Sequence, residues 1–393
     1  MFLKADKYEL EPGMKYKAPR CIQFRNKRYG IELGRFIHPI EQDVYKTLDC
    51  SGTPVFAKGR NSVERAADLL AKSQEFCNPY YLLLDQSGWD AHVNKTLLQY
   101  EHNLYLRKCN SSVLKSLLKW QVQNRGGTRN GTKFQTPGTR MSGDCNTALG
   151  NCVINYALLS TWAKEAGIKA AFYVDGDDSV VIFDSRELSK VEACDPTAWF
   201  LNWGMESKVE ATDIFERCEF CQCRPVWDGI GWRMVRNPRR VMVRSEWTVQ
   251  PHPPAFFPRL VASVGRCEAA CNLGIPVLQE LAWKMVEAGG MKHKTWRGLD
   301  NWHKAKLESW GPDKVERALR PVTMESRESF ALAWDISVAE QLAFEASTLR
   351  LDVTSSSDWS DYLDHFAGDN RLTRECDFHS LVLSDCNESC KVR

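Results

Sequence analysis

The stretch FYVDGDDSVVIF, residues 172–183, sets three aspartates within four positions between two apolar, β-branched runs. Such runs read as strands. Asp-Gly between them is the strongest short-range hairpin signal, so Asp175-Gly176 suits a tight two-residue turn. One aspartate would serve a turn. Asp177 and Asp178 add like charges at the mouth of a strand, where half-buried carboxylates repel and raise one another's pKa unless a cation sits among them. The cluster therefore reads either as a solvated turn or as a metal site, and the rest of the chain has to decide.

Two further stretches bear on it. In YLLLDQSGWDAHV, Asp85 ends an apolar strand and Asp90 comes five residues on, past Ser87-Gly88, where the chain can turn away. If that strand lies beside the hairpin, Asp85 and Asp177, with Asp178 near them, suit two Mg²⁺ ions, which take oxygen ligands and keep waters for substrate phosphates. The bland alternative is a strand-ending Asp that caps the next helix. In SGDCNTALGNCVINYALL, Ser142, Gly143 and Asp144 signal a helix start, and Thr147 and Asn151 fall four apart on one face. They are either surface residues or, beside Asp90, a polar platform able to sense a ribose 2′-OH, which both donates and accepts.

Composition narrows the classes. A chain of 393 residues with 43% hydrophobic and 26% charged content is that of a soluble globular protein with two or three domain-sized units or one large lobed fold. No run of eighteen apolar residues offers a membrane span; the uncharged stretch 145–163 carries Asn146, Asn151 and Asn155. MFLKADKYELEPG turns charged too soon for a signal peptide. Fifteen scattered cysteines suggest reduced thiols in a cytosolic setting. Net charge is only +2 but uneven: residues 1–35 hold nine Lys/Arg against four Asp/Glu, 224–244 hold six Arg against one Asp, and 351–393 hold four basic against nine acidic. Either basic patch is a solvated face or a phosphate-contacting one, and Arg interleaved with Trp227, Trp232 and Met234 leans towards phosphate.

Periodicity outlines the organisation. NSVERAADLLAKSQEF sets Val63, Ala66, Ala67 and Leu70 at helical spacing, YYLLLD is a strand, and Lys95 to Trp120 is helical. A Gly/Thr-rich loop, NRGGTRNGTKFQTPGTRMSGD, feeds a long helix ending near Gly167. After the hairpin come a helix, a turn at NWGMESK and short strands through Arg244; QPHPPAFFPR marks a boundary and 258–347 look helical.

The spaced residues Asp85 and Asp90, Ser142-Gly143 with Thr147 and Asn151, and Gly176-Asp177-Asp178 occur in the order of motifs A, B and C of viral RNA-dependent RNA polymerases. APRCIQFRNKRYGIELGRFIHPIEQDVY resembles motif F of the tombusvirus-like members, EFCQCRPVWDGIGWRMVRNPRR resembles their motif E and the segment after it, and GIPVLQE, 274–280, is similar to their thumb. The resemblance spans roughly residues 3 to 290. It implies an α+β right-hand fold: a fingers segment with motif F over 1–77, a palm with an antiparallel sheet, motifs A to E and an inserted fingers part over 78–244, a helical thumb over 245–347 and an acidic tail over 348–393. It further implies template-directed RNA synthesis from NTPs, with pyrophosphate released. Asp85, Asp177 and Asp178 would hold Mg²⁺, for which Mn²⁺ can substitute. Asp90, Ser142, Gly143, Thr147 and Asn151 would select a ribonucleotide; Lys17, Arg20 and Arg25 would line the NTP path, with Lys15 and Arg28 as further candidates; Lys208 would act as general acid. Cys221-Gln222 would grip the nascent strand. Expected partners are template and nascent RNA, NTPs and a viral membrane-anchoring replication protein or upstream segment, with no role for DNA. The expected setting is a membrane-associated replication complex in the host cytoplasm.

Departures are also legible. About fourteen residues precede motif F, fewer than such polymerases carry, so N-terminal finger segments are expected to be missing, as from a readthrough or frameshift product. Asp175 stands where Asn or Cys is expected in relatives, adding charge near the metals. Cys376, His379, Cys386 and Cys390 have zinc-like spacing within each half, but unrelated reduced thiols are the simpler reading. Neither a P-loop nor a His-Glu-x-x-His sequence occurs. A metal-dependent nuclease and a non-catalytic RNA binder are the alternatives.

Overall fold

A computed structural model of the chain describes residues 2–4, 20–128, 130–245, 253–290 and 319–347. They are mixed helix and sheet and fall into two compact units, one of residues 2–4 and 20–222 and one beginning at Cys223. Lys15 and Lys17 and the cysteines and histidine of the tail lie outside the described residues.

The first unit is organised by a four-stranded antiparallel sheet in the order Ala170–Asp175, Asp178–Asp184, Pro79–Ser87, Glu206–Thr212. Its central strands are apolar on both faces because both are covered. Leu82, Leu84, Phe172, Val174, Val181 and Phe183 face a core completed by Leu149, Cys152, Val153 and Trp162 of the helix Thr147–Ala166. The uncharged stretch 145–163 thus contributes to a buried helix, closed by Gly167 in the left-handed conformation that glycine accepts cheaply (φ 68°). The opposite face carries Tyr81 and Tyr173, whose hydroxyls donate to Ser73 and Asp68 of the helix Ser62–Ser73.

That helix differs from its expected stripe. Ala66 is buried as expected, but Val63 and Ala67 are exposed, and Asp68, Leu69, Lys72 and Ser73 are buried instead. Ion pairs explain the rotation: Lys72 reaches Asp49 at 2.7 Å, and Asp68 pairs with Arg60 at 2.7 Å. Buried charges found in this way look polar in a hydrophobicity pattern. Three other expectations shift. Part of the Gly/Thr-rich loop is a hairpin, Gln123–Gly127 with Lys133–Pro137. The long helix begins at Thr147 rather than at Ser142. Residues 238–245 are helical, with Asn237 accepting from the Arg239 N–H, instead of strand.

In the second unit, the hairpin Cys223–Trp227 with Trp232–Arg236 shares a core with the helices Phe257–Cys271, Leu278–Gly289, Met324–Trp334 and Val338–Ala346 through Val226, Val235, Leu281, Phe330 and Trp334. The first two helices approach so closely that a Cβ on Gly265 would meet Met285 and the backbone of Ala282 and Val286. Arg224 lies 4.8 Å over the Trp334 ring, Arg233 pairs with Asp228 at 3.0 Å and Arg236 with Glu268 at 2.5 Å. Three of the six arginines read as a phosphate-facing patch are therefore committed to internal partners.

Candidate active site

The sheet register gathers the acidic residues. Leu84 pairs with Ser179, so the next positions, Asp85 and Asp178, adjoin across the two central strands; on its other side Asp85 pairs with Lys208. Residues opposite one another in an antiparallel ladder point to one face, so Asp85, Asp178 and Lys208 share a face. Asp175, paired with Asp178 at the hairpin mouth, shares it too. The two-residue loop of that hairpin is Gly176-Asp177, one position later than Asp175-Gly176. Gly176 takes φ 77° and Asp177 keeps a negative φ, the pattern of a turn with glycine first.

Helix Thr147–Ala166 holds this loop by its backbone. Asn155 Nδ2 donates to the carbonyls of Gly176 and Asp177 at 3.0 and 3.1 Å, and the Gly176 N–H donates to Cys152 Sγ at 3.1 Å. Neither residue stood out as functional in the sequence, although Asn155 continues the four-residue spacing of Thr147 and Asn151.

Charge is unevenly balanced across the cluster. Burial, reinforced by the charges of Asp177, Asp85 and Asp175, pushes the Asp178 carboxyl up to about 7. Burial and the charges of Asp90 and Asp85 raise Asp177. Asp175 goes the other way: burial would raise it, but Lys58 and Arg65 hold it below the ordinary carboxylate value. Lys58 pairs with one Asp175 oxygen and Arg65 with the other at 2.6 Å. The charge that Asp175 brings to the turn is thus matched by two cations, which no local pattern announces because both come from the distant segment 58–65.

The donors suit a hard divalent cation. Carboxylates are oxygen ligands of the kind Mg²⁺ and Mn²⁺ take, and a cation beside Asp178 would offset both the burial of its charge and the repulsion from its neighbours. Among the described residues no three His, Cys, Asp or Glu side chains close into a ready-made cage. An incomplete protein shell suits Mg²⁺, which keeps waters and takes phosphate oxygens.

Asp90, on the short helix Trp89–His92 entered through Gly88 (φ 59°), accepts from Asn151 Nδ2 at 2.9 Å. The Thr147 hydroxyl donates to the Met141 carbonyl at 3.0 Å. Ser142 Oγ accepts from the Gln23 N–H at 3.3 Å, and the Gly143 N–H donates to the Gln23 carbonyl at 2.7 Å; a Cβ on Gly143 would run into that backbone. Ser142-Gly143 thereby dock the Cys21–Arg25 segment. Arg25 donates to Asp144 at 2.7 Å, to the Trp120 carbonyl at 3.1 Å and to Asn124. Arg20 is exposed just before the strand Cys21–Ile22, and Arg28 is exposed on the first turn of the helix Lys27–Val44. Cys221 and Gln222 both adopt left-handed φ, 52° and 60°, and Cys221 Sγ lies 3.7 Å from Asp175. Lys208 is exposed on its strand.

A sequence model of the family described as viral RNA dependent RNA polymerase matches residues 2–356. The chain belongs to that family. Among its relatives is the RNA-directed RNA polymerase of maize chlorotic mottle virus (isolate United States/Kansas/1987), 33% identical over 355 residues, which are 88% of this chain and 36% of the relative. The protein of the same name from tobacco necrosis virus (strain A) is 33% identical over 89% of this chain and 49% of the relative. That of tomato bushy stunt virus (strain Cherry) is 34% identical over 88% and 42%. The chain spans less than half the length of each of these viral polymerase relatives.

Proposed function

We propose that this chain is the catalytic portion of an RNA-dependent RNA polymerase, copying viral RNA by nucleotidyl transfer from NTPs. The observation that carries the reading is the convergence of Asp85 and Asp178 on one sheet face, with Asp177 at the turn beside them. Family membership supports it. In this reading residues up to 244 supply the fingers and palm, and 245–347 the helical thumb, of a right-hand fold.

Asp85, Asp177 and Asp178 would hold Mg²⁺, with Mn²⁺ as a substitute. When bound, the ions lower the barrier to attack of the RNA 3′-OH on the α-phosphate and neutralise the charge on the leaving pyrophosphate. The protein's own contribution is positioning. Asn155 and Cys152 fix the Gly176-Asp177 backbone, so the carboxylates need no reorganisation when substrate arrives. Asp90 and Asn151 are set to take the ribose 2′-OH, Asp90 as acceptor and the Asn151 amide as donor, while Thr147, Ser142 and Gly143 brace the loop before them. Lys17 and Arg20 would contact the triphosphate, and Arg25 anchors the 20–25 segment through Asp144. Lys208, across the ladder from Asp85, would protonate departing pyrophosphate. Cys221-Gln222 lie towards the nascent strand. Template RNA, nascent RNA and NTPs are the ligands, and DNA is not one. No described helix is long and apolar enough to cross a membrane; attachment to replication complexes in the host cytoplasm would come from a partner protein or an upstream segment.

Incubating the purified chain with an RNA template, NTPs and Mg²⁺ or Mn²⁺ tests the reading. Template-directed extension that Asp177→Ala abolishes supports it; shortening of the RNA identifies a nuclease, and retention of RNA without either change identifies a binding protein.

A further inference from the structure

Behind the Asp90–Asn151 pair lies a buried ion pair that the proposed chemistry does not use. Glu101, on the helix Lys95–Lys108, is 0% exposed, and Arg140 is 3% exposed. Arg140 forks onto Glu101, Nη1 to Oε1 at 3.2 Å and Nη2 to Oε2, while its Nε donates to Asn151 Oδ1 at 3.0 Å. The Glu101 carboxylate also accepts from the Tyr105 hydroxyl and from Asn146 Nδ2, each at 2.7 Å. The anchor is therefore saturated with donors. A single rigid plane aims hydrogens at two partners, a geometry that guanidinium has and ammonium lacks.

We propose that Arg140, clamped by Glu101, is a positioning residue for ribose selection: it sets which way round the Asn151 amide stands. An asparagine side chain is a carbonyl and an amine at equal reach, and its neighbours decide their order. Arg140 can only donate, so Asn151 must turn its oxygen inward. A carboxylate can only accept, so the amine must face Asp90, as it does at 2.9 Å. Glu101, Arg140, Asn151 and Asp90 thus form one chain of alternating charge and dipole. It leaves the second amide hydrogen and the other carboxylate oxygen for a hydroxyl that both donates and accepts. Gly150, next to Asn151, makes room for the clamp, since a Cβ there would run into Arg140 Nη2 and the Glu101 carboxylate.

The inference rests on the polymerase reading, and one experiment separates their failures. Extension by the full chain is measured with each NTP and its dNTP, and the ratio of kcat/KM values is compared across variants whose near-ultraviolet circular dichroism matches that of the unaltered chain. Arg140→Lys is expected to narrow the ribonucleotide preference roughly tenfold, mostly through KM for the NTP, by losing one charge-assisted hydrogen bond. Adding it to Asn151→Ala should narrow the preference no further than Asn151→Ala does alone, because both act through one amide. If Arg140→Lys does not fold, the pair Glu101→Gln with Arg140→Met, which removes both buried charges together, carries the same test. A preference unmoved in a folded Arg140 variant, or a loss that adds to that of Asn151→Ala, overturns the inference alone. No extension by the unaltered chain overturns the polymerase reading instead.

Discussion

The side-chain amide of Asn155 donates to the carbonyl of Asp177 at 3.1 Å, joining a buried helix to the turn that presents the acidic cluster. The same nitrogen reaches the Gly176 carbonyl at 3.0 Å, so a single side chain restrains both loop residues of the hairpin. Replacing Asn155 by Ala strips two buried carbonyls of their donor. We expect a loss of about 1–3 kcal/mol in urea denaturation and a fall in RNA synthesis of at least about tenfold, since a carboxylate misplaced by an ångström forfeits much of its effect. Unchanged synthesis in the folded variant would show that the turn holds its shape without this tether.

Asp178 provides a pH signature. In the metal-free chain it keeps its proton up to about pH 7, against an ordinary carboxylate value of 3.8. The folded state then binds more protons than the unfolded one across that interval, so stability from this group is present at low pH and is lost as pH rises through it, by a few kcal/mol at most. A divalent ion favours the ionised form. Mg²⁺ should therefore raise the Tm more at about pH 8 than at about pH 5. Asp178→Asn should make the metal-free chain more stable at the higher pH and shrink the Mg²⁺ effect. Equal Mg²⁺ shifts at both values, or in both proteins, would contradict this.

Asp175 has the opposite sign. Lys58 and Arg65 hold its folded pKa below the ordinary value, so its contribution is present above about pH 4 and is lost as pH falls through the depressed value. Asp175→Asn leaves two half-buried cations without their shared partner and should cost about 2 kcal/mol at neutral pH. The cost should shrink in acid, and chemical denaturation at several pH values measures it.

The pair Lys72–Asp49 lies deeper: the lysine side chain is 0% exposed and its partner 4%. Asp49 also accepts from the Phe172 N–H at 3.1 Å, fastening its loop to the sheet. Lys72→Met strands a buried carboxylate and should cost about 3–5 kcal/mol, whereas Asp49→Asn combined with Lys72→Met should recover part of that. A loss below about 1 kcal/mol would show that water reaches the pair.

Much of the candidate site is legible in the sequence because its residues lie on regular elements. Asp85 closes the apolar run of a strand that continues to Ser87, Asp177 and Asp178 border a strand at a glycine turn, and Thr147 and Asn151 repeat at helical spacing. Those periods are fixed by backbone geometry. What stayed hidden arises from contacts between distant segments: Lys58 and Arg65 on Asp175, Arg25 on Asp144, and Lys72 on Asp49. Buried charge also misled directly. The Ser62–Ser73 helix turns its charged Asp68 and Lys72 inward, where a hydrophobicity pattern expects apolar residues, and arginines of the 224–244 stretch that looked like a phosphate patch neutralise Asp228 and Glu268. The hairpin loop fell one residue from its expected place because Asp175 and Asp178 pair across its mouth, leaving glycine first in the loop.

The proposed chemistry requires carboxylates from two neighbouring strands to converge on divalent ions. Anomalous scattering from Mn²⁺ in crystals of the chain with a non-hydrolysable NTP measures this directly. The prediction is manganese density bridging Asp85 and the Asp177-Asp178 turn, lost in Asp177→Ala. Density at other residues, or triphosphate bound with no ion near Asp85, would contradict it.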